Sequence, residues 1–266
     1  MKRILAILVT LLFSSIACSL GTSVTPASDS AQPTPLPANE DASQPSPMPP
    51  ANEPPVATVN ACDNIYMPVI PGATWTYSLV GQVSDTYTHT ILSRDDTSFV
   101  EQDAFVSGVT RKGDWACADG NLTALTPTGG ASVNTNGLTS EFVTTTNTGI
   151  TFPANPQPGS TWSQFVILEG TQTINGFTAN SRNQVETTCT VIGMEAVSVP
   201  AGTFEALRVE CAVQMLITAT VEGTSFDTNL SSITTSWYAP NVGMVKSATV
   251  GGGLDSTTEL TSYSLP

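Results

Sequence analysis

The sequence predicts a mainly β fold, a strongly curved antiparallel sheet forming an open or half barrel across residues 61–266. Three observations carry this. Apolar and polar residues alternate with a period of two in segment after segment, the signature of strands with one buried face. Threonine is the dominant polar residue, 35 of the 206 positions from 61 onward, and its β-branched side chain suits a pleated, half-solvated surface. Turn residues punctuate the alternating runs, and no segment of about twelve or more residues carries a helical period. Strands at regular intervals without helices between them imply antiparallel connections.

Taken in order, Trp75, Tyr77 and Leu79 alternate with Thr74, Thr76 and Ser78. Tyr87, His89 and Ile91 alternate with Thr86, Thr88 and Thr90. Leu207, Val209, Cys211, Val213, Met215 and Ile217 form the longest such run. Turns are signalled at Asp119-Gly120, Gly129-Gly130, Asn136-Gly137, Asn175-Gly176 and Pro200-Ala201-Gly202. Gly251-Gly252-Gly253 reads as another turn. Near the end, Trp237 and Tyr238 close one strand, Pro240 cannot donate to a ladder, and Asn241 and Gly243 permit a reversal. Val242 and Met244 then start the returning strand, which makes the block a hairpin corner.

An internal echo links Pro68 to Trp75 with Asn155 to Trp162. Both segments place a Pro-Gly turn before a strand that opens on Thr-Trp, and they lie 87 residues apart. Two readings stand side by side: a strand-start idiom, since Pro and Gly favour turns and Trp favours strands, or two related β-meander halves.

The block Tyr66-x-Pro68-x-x-Pro71-Gly72-x-Thr74-Trp75-x-Tyr77, with Val199-Pro200-Ala201-Gly202-Thr203-Phe204 and Trp237-Tyr238-Ala239-Pro240-Asn241-Val242-Gly243, resembles bacterial lipoproteins of the DUF3108 and TapB-like groups. The resemblance covers most of residues 66 to 250. It implies an exported, mostly β domain with a strongly curved antiparallel sheet, and it brings no established activity.

The first residues are Met-Lys-Arg, followed by thirteen uncharged residues from Ile4 to Ile16. A basic start and a short apolar run describe a secretory signal at 1–17. As a helix the run rises only about 20 Å, short of the roughly 30 Å a bilayer core requires; a short anchor or buried helix is the blander alternative. Ser15-Ile16-Ala17-Cys18 resembles the bacterial lipobox, with Ser15 where leucine is usual. Cys18 would then be the diacylated N-terminus, and two or more acyl chains anchor stably where one does not. Residues 18–60 form the linker. From Ser19 to Asn60 there are ten prolines, four acids, no base and no aromatic residue. Such a stretch cannot bury enough apolar surface to offset its ordering entropy, so it reads as a disordered stalk. Pro33-Thr34-Pro35-Leu36-Pro37 and Pro47-Met48-Pro49-Pro50 are its alternative docking motifs.

Lipidation of Cys18 leaves four cysteines in an oxidising compartment. Cys189 and Cys211 flank the Pro200–Gly202 turn at equal distance, each 11 residues from Pro200, and share the apolar parity of their strands. Antiparallel pairing would bring them together. Cys62 and Cys117 remain as the second pair and would staple the start of the domain to the strand carrying Trp115. No Cys-x-x-Cys occurs, which argues against redox catalysis.

Composition narrows function. Acids outnumber bases 22 to 8, for a net charge of −14, and the six bases of the folded part are scattered. Neither fits nucleic-acid binding, where Lys and Arg neutralise phosphates. His89 is the only histidine, so sites needing two imidazoles are excluded, and it reads as a structural or surface residue. There is no Gly-x-Ser-x-Gly elbow. Asp95, Asp96, Glu101 and Asp103 are the nearest thing to paired carboxylates for glycoside cleavage, with nothing in the sequence to join any two. Asp114, Asp119 and Asn121 match no calcium loop; no metal or cofactor is expected. The sequence therefore favours a non-enzymatic, membrane-anchored binding or envelope-accessory lipoprotein. Its ligand would be an apolar molecule or a glycan held on the concave sheet, with Trp75, Trp115 and Trp162 as wall residues. The alternatives are a module that presents an edge or loop to a protein partner and, less favoured, a carboxylate-dependent hydrolase.

Overall fold

The computed structural model describes residues 60–266 except 82–83, 127–131, 136–137 and 175–176, with backbone alone at 132–135, 138–140, 174 and 177. The expected signal segment, Cys18 and all but the last residue of the linker lie outside the described residues. So do the turns expected at Gly129-Gly130, Asn136-Gly137 and Asn175-Gly176.

Thirteen strands make one sheet: β1 (Thr74–Gly81), β2 (Asp85–Arg94), β3 (Ser98–Phe105), β4 (Thr110–Ala118), β5 (Asn121–Ala124), β6 (Ser132–Thr135), β7 (Leu138–Gly149), β8 (Thr161–Ile174), β9 (Phe177–Val199), β10 (Gly202–Val221), β11 (Thr224–Ala239), β12 (Gly243–Val250) and β13 (Ser256–Ser264). Among the described residues all pairings are antiparallel. They run β1-β2-β3-β4, pass to β6, continue in chain order to β13, and return from β13 to β1. Twelve strands thus form a nearly closed, barrel-like meander in which closure abolishes most free edges.

The remaining strand, β5, marks the seam. β4 carries β3 on one edge; on the other it carries β6 along Thr110–Lys112 and β5 along Trp115–Ala118. No ladder joins β5 to β7, and side chains fill the gap. The Gln164 amide donates to Ala124 O (3.0 Å) and Asn147 Oδ1 (2.9 Å) and accepts from the Thr151 hydroxyl (2.7 Å). Asn147 donates to the same Ala124 carbonyl (2.9 Å), Thr144 donates to Leu125 O, and Ala124 N–H donates to Thr151 (2.7 Å). Below them a single bridge, Leu122 to Phe152, completes the seam.

The internal echo has a matching geometry. Gly72 and Gly159 sit at φ 82° and 86°, where a side chain would strain the backbone. Each donates to the adjacent strand, Gly72 to Ile91 O and Gly159 to Val191 O. The next residues bond back three positions, Ala73 to Ile70 O and Ser160 to Gln157 O. Ile91 and Val191 then return bonds to Ala73 O and Ser160 O. The same strand-start device is used twice within one continuous sheet. At the Trp237 corner, β11 ends at Ala239 and β12 begins at Gly243, with Asn241 and Gly243 at positive φ.

A bulge at Arg208–Val209 lets the β9–β10 hairpin bend. Its tip folds back so that Ala201 N–H donates to Leu260 O (3.0 Å), and Val197 and Ala206 enter the main core beside Trp75, Tyr77, Leu122, Val245 and Leu260. Cys189 and Cys211 face each other in register with sulfurs 2.07 Å apart. The Cys62 and Cys117 sulfurs stand 2.01 Å apart and join the segment before β1 to β4.

Gln164→Leu keeps the volume but leaves Ala124 O, Asn147 and Thr151 short of partners at a buried position. We expect a loss of about 1–3 kcal/mol in urea unfolding, with faster amide exchange at Leu122 and Ala124. An unchanged midpoint would show that the seam does not depend on this amide.

Candidate functional site

Alternate residues of β1–β4 point inward, and the register arranges them in rows. Trp75, His89, Asp103 and Arg111 are successive cross-strand neighbours; so are Tyr77, Tyr87 and Phe105, then Ile91, Glu101 and Gly113, then Phe99 and Trp115. All of these except Phe105, Arg111 and Gly113 line a cavity of about 220 Å³. Met67, Pro68 and Val69 before β1 and Tyr238, Gly243 and Met244 from the β11–β12 corner complete it.

The aromatic walls are fixed by hydrogen bonds and by one another. Trp75 Nε1 donates to Val242 O (2.6 Å) and the Tyr77 hydroxyl to Met244 O (2.8 Å). Phe99 stacks on Trp115, Tyr77 on Tyr87 and Tyr87 on Phe105, with centroids 5.2, 5.1 and 4.8 Å apart. Burial pushes the Tyr77 and Tyr87 hydroxyls up, so both stay neutral.

Within this apolar lining lies a charge cluster. Asp103 accepts from His89 Nδ1 (2.8 Å) through one oxygen and from Arg111 Nη2 (2.9 Å) through the other. The second imidazole nitrogen, Nε2, faces Glu101 Oε2 at 3.6 Å. Arg111 also lies over Phe105, 4.7 Å from the ring centre. Solvent reaches the cluster: the His89 and Glu101 side chains are 22% and 21% exposed. Room for Glu101 comes from Gly113, where a Cβ would sit 2.8 Å from a Glu101 carboxylate oxygen.

Burial favours neutral Asp103, but the His89 hydrogen bond and the His89 and Arg111 charges outweigh it and hold the carboxyl below its ordinary value. Burial opposes the imidazolium, but the Asp103 hydrogen bond and the Glu101 and Asp103 charges outweigh that too, and His89 is raised. Glu101 is raised by burial, against the pull of His89 and of the Trp115 indole N–H. Asp103 as a carboxylate fixes the hydrogen on Nδ1. His89 Nε2 meets a carboxyl rather than a hydroxyl or thiol, so the cluster lacks the nucleophile of a hydrolase triad. Among the described residues no three His, Cys, Asp or Glu side chains gather as a metal site.

Trp75 and Trp115 stand on the cavity wall. Trp162, expected beside them, packs edge-on against Phe152 and donates to Thr151 O (2.9 Å), away from the cavity. His89, read from sequence as a structural or surface residue, sits at the centre of the cluster. Asp95 remains in the β2–β3 turn with Ser98, whereas Glu101 and Asp103, for which the sequence offered no meeting point, converge on the imidazole. The available signal was parity: Phe99 and Phe105 share the core face of β3, so Glu101 and Asp103 between them share it too. A second depression of about 200 Å³ lies on β8–β11, lined by Phe165, Gln184, Glu186 and Leu216 among others; it has one acid and no ion pair.

An all-β, nearly closed, barrel-like sheet with one unsealed seam and a small aromatic and ionic cavity defines the class. Residues 109–265 match the DUF3108-like family, more than half of the chain, and the chain belongs to that family. No curated protein matches it in sequence. Solved structures with a similar fold include an exported protein with a YmcC-like fold from Bacteroides fragilis, 15% identical over 76% of this chain and 100% of that one, TM-score 0.46. A lipoprotein from Parabacteroides distasonis is 16% identical over 76% and 99%, TM-score 0.48. The hypothetical lipoprotein YmcC of Escherichia coli is 11% identical over 75% and 90%, TM-score 0.31.

A raised imidazole binds its proton more tightly in the folded state. Its stabilisation is therefore complete below the ordinary imidazole value of about 6.5 and is lost as pH rises through the higher native value. Glu101, also raised, acts in the same sense at more acid pH, while the contribution of lowered Asp103 is lost as pH falls. We expect the urea midpoint to decline as pH rises above about 6.5 and His89→Gln to flatten that decline. Gly113→Ala, by displacing the Glu101 carboxylate, should lower the His89 titration midpoint seen by NMR. A wild-type His89 titrating at or below the free-imidazole value would contradict the geometry.

Proposed function

We propose that this protein is an extracytoplasmic, lipid-anchored binding module that holds a small ligand in the cavity between β1–β4 and the β11–β12 corner. The observation that carries the reading is the convergence of an ion cluster and six aromatic rings on one solvent-reachable cavity. Concave, mostly apolar sites with a few convergent polar groups are where small molecules bind. The volume, about 220 Å³, lies below the roughly 300–1,000 Å³ of sites for drug-sized ligands, and burying an ionic wall against an acyl chain is unfavourable. Both arguments favour a small ligand with an apolar face and a polar edge over a whole lipid.

The anchoring half of the proposal rests on the N-terminal sequence: the basic start, the Ile4–Ile16 run and Cys18. The stalk would hold the folded part off the bilayer. With 18 acids and six bases from residue 61 onward, that part is repelled by anionic lipid surfaces. In an oxidising compartment the two cysteine pairs would be closed, each contributing about 2–4 kcal/mol.

One feature favours the enzymatic alternative, a raised carboxyl, Glu101, facing an imidazole. Glycoside cleavage needs a second free carboxylate, and Asp103 is committed to Arg111 and His89 on both oxygens.

Two experiments test the proposal. Cys18→Ala should move the protein from the membrane fraction to the soluble fraction; retention in the membrane would end the lipoprotein reading. Screening small fragments by NMR should give hits that shift the His89 ring and the Trp75 and Trp115 indole signals while sparing Trp162. Hits that avoid these groups would reassign the protein to the interaction-module alternative.

A further inference from the structure

We infer that the cavity is a subsite for a saturated ring bearing adjacent hydroxyl groups, that is, one residue of a neutral carbohydrate. The inference rests on the reading of the cavity as a ligand site and adds the chemistry of its occupant.

The first argument is hydrogen-bonding complementarity. His89 Nε2 and Glu101 Oε2 are 3.6 Å apart, too far to satisfy each other, and solvent reaches both. The Nδ1–Asp103 bond makes Nε2 available as a donor when the ring is protonated, and Glu101 offers an acceptor beside it. Two neighbouring hydroxyls match this pair, one accepting from Nε2 and the other donating to the carboxyl. With the ring protonated, an ammonium group only donates and leaves Nε2 without an acceptor. A carboxylate only accepts and meets Glu101 as a like charge. A single hydroxyl can accept from Nε2 and donate to the carboxyl, but partners only 3.6 Å apart force its two bonds to an acute angle, which two neighbouring hydroxyls relieve.

The second argument is charge. Two carboxylates, Asp103 and Glu101, stand with one guanidinium and one imidazole. Asp103 is already matched by Arg111 at 2.9 Å and His89 at 2.8 Å. With the imidazole protonated and Glu101 ionised, a charged ligand would meet as many like charges as opposite ones, whereas an uncharged polar ligand disturbs nothing.

The third argument is the wall. Trp75, 5.5 Å from the His89 ring, and the Phe99–Trp115 pair offer aromatic faces, whose negative quadrupole attracts the weakly positive C–H face of a saturated ring. The volume admits one such ring. A free sugar or the terminal residue of a longer chain would present the same chemistry.

The test titrates the full-length chain with a matched series of methyl hexopyranosides, cis-cyclohexane-1,2-diol, catechol, cyclohexanol, cyclohexylamine and cyclohexanecarboxylate. The readouts are the ring signals of the single histidine and indole fluorescence. The saturated diols should bind at least about tenfold tighter than cyclohexanol, the worth of one well-made hydrogen bond, and should shift His89. Glu101→Leu and His89→Phe should each remove that margin, with cyclohexanol as the control for an intact cavity. A trisaccharide of the best hexose that binds as well as the monosaccharide assigns the site to chain ends. One that binds about tenfold worse assigns it to free sugar; both outcomes support the inference. Cyclohexanol equal to the diols, or preference for the amine, the acid or catechol, overturns the carbohydrate inference while leaving the cavity a ligand site. If no ring compound perturbs His89, the inference and the reading beneath it both fail.

Discussion

The interior of this protein follows from one constraint. Side chains alternate along a strand, and four consecutive hairpin-linked strands in fixed register gather every second residue into the same small volume. Once Trp75 stands opposite His89, Asp103 must follow on β3 and Arg111 on β4. A slip of one residue anywhere in β1–β4 would turn these groups outward and bring their neighbours in, threonines from β1 and β2, Gln102 from β3 and Lys112 from β4. The register is held from outside the four strands as well. β13 pairs with the whole of β1, the turn at Gly72 ties the start of β1 to Ile91, and the Cys62–Cys117 pair fixes β4 to the segment before β1.

Placing ionisable groups on an inner face creates an obligation that apolar packing cannot meet. Every polar atom there needs a partner or access to water. Asp103 serves as the hub, matching two cations with its two oxygens. The seam solves the same problem with neutral groups: β5 lacks a ladder partner toward β7, and Gln164, Asn147, Thr144 and Thr151 take over the exposed carbonyls and amide. In both places side chains do what backbone pairing leaves undone. The two places differ in completeness. The Gln164 amide has a partner for each role, whereas His89 Nε2 and Glu101 face each other across a gap that a third molecule can fill.

Much of the fold was legible in the sequence because alternation, turn chemistry and cysteine parity are local signals. The β11–β12 corner, the β9–β10 turn and the run from Leu207 to Ile217 could be placed by reading outward from a few residues. The cavity was harder. The acids at 101 and 103 were weighed as a list of carboxylates, and a list has no faces; the flanking Phe99 and Phe105 carry the face information. Even with parity, sequence does not say which residue of β2 stands opposite Asp103, because cross-strand register depends on turn lengths and on bulges such as the one between Ile91 and Ser93. Gln164 was invisible for a related reason. Trp162, Val166 and Leu168 mark its face as internal, but its partners lie across a seam that exists only because β5 and β6 share one edge of β4. Trp162 illustrates the reverse error: residue type and a shared strand-start device suggested a wall of the cavity, while the device positions it in a different part of the sheet.

The low charge content of the chain gives the cluster its weight. Of the six cationic residues in the folded part, Arg94, Arg182, Arg208 and Lys246 form ion pairs with Asp63, Glu169, Glu195 and Glu259, carboxylates more exposed than that of Asp103. Pairs of that kind contribute little, typically about 0–1 kcal/mol. Arg111 instead pairs with Asp103, the least exposed of these carboxylates, and lies over the Phe105 ring. A charge pair there costs desolvation that its attraction only partly offsets, and apolar residues of the same size commonly stabilise as well or better. Breaking such a pair by removing one partner is the costly change, about 3–5 kcal/mol for a fully buried pair and less for this solvent-reachable one. Stability alone therefore does not account for His89, Glu101, Asp103 and Arg111 on the inner face of a sheet otherwise built from threonine and apolar residues. The proposed ligand would, because bound in the Nε2–carboxyl gap it gives both groups the partner that a separation of 3.6 Å denies them.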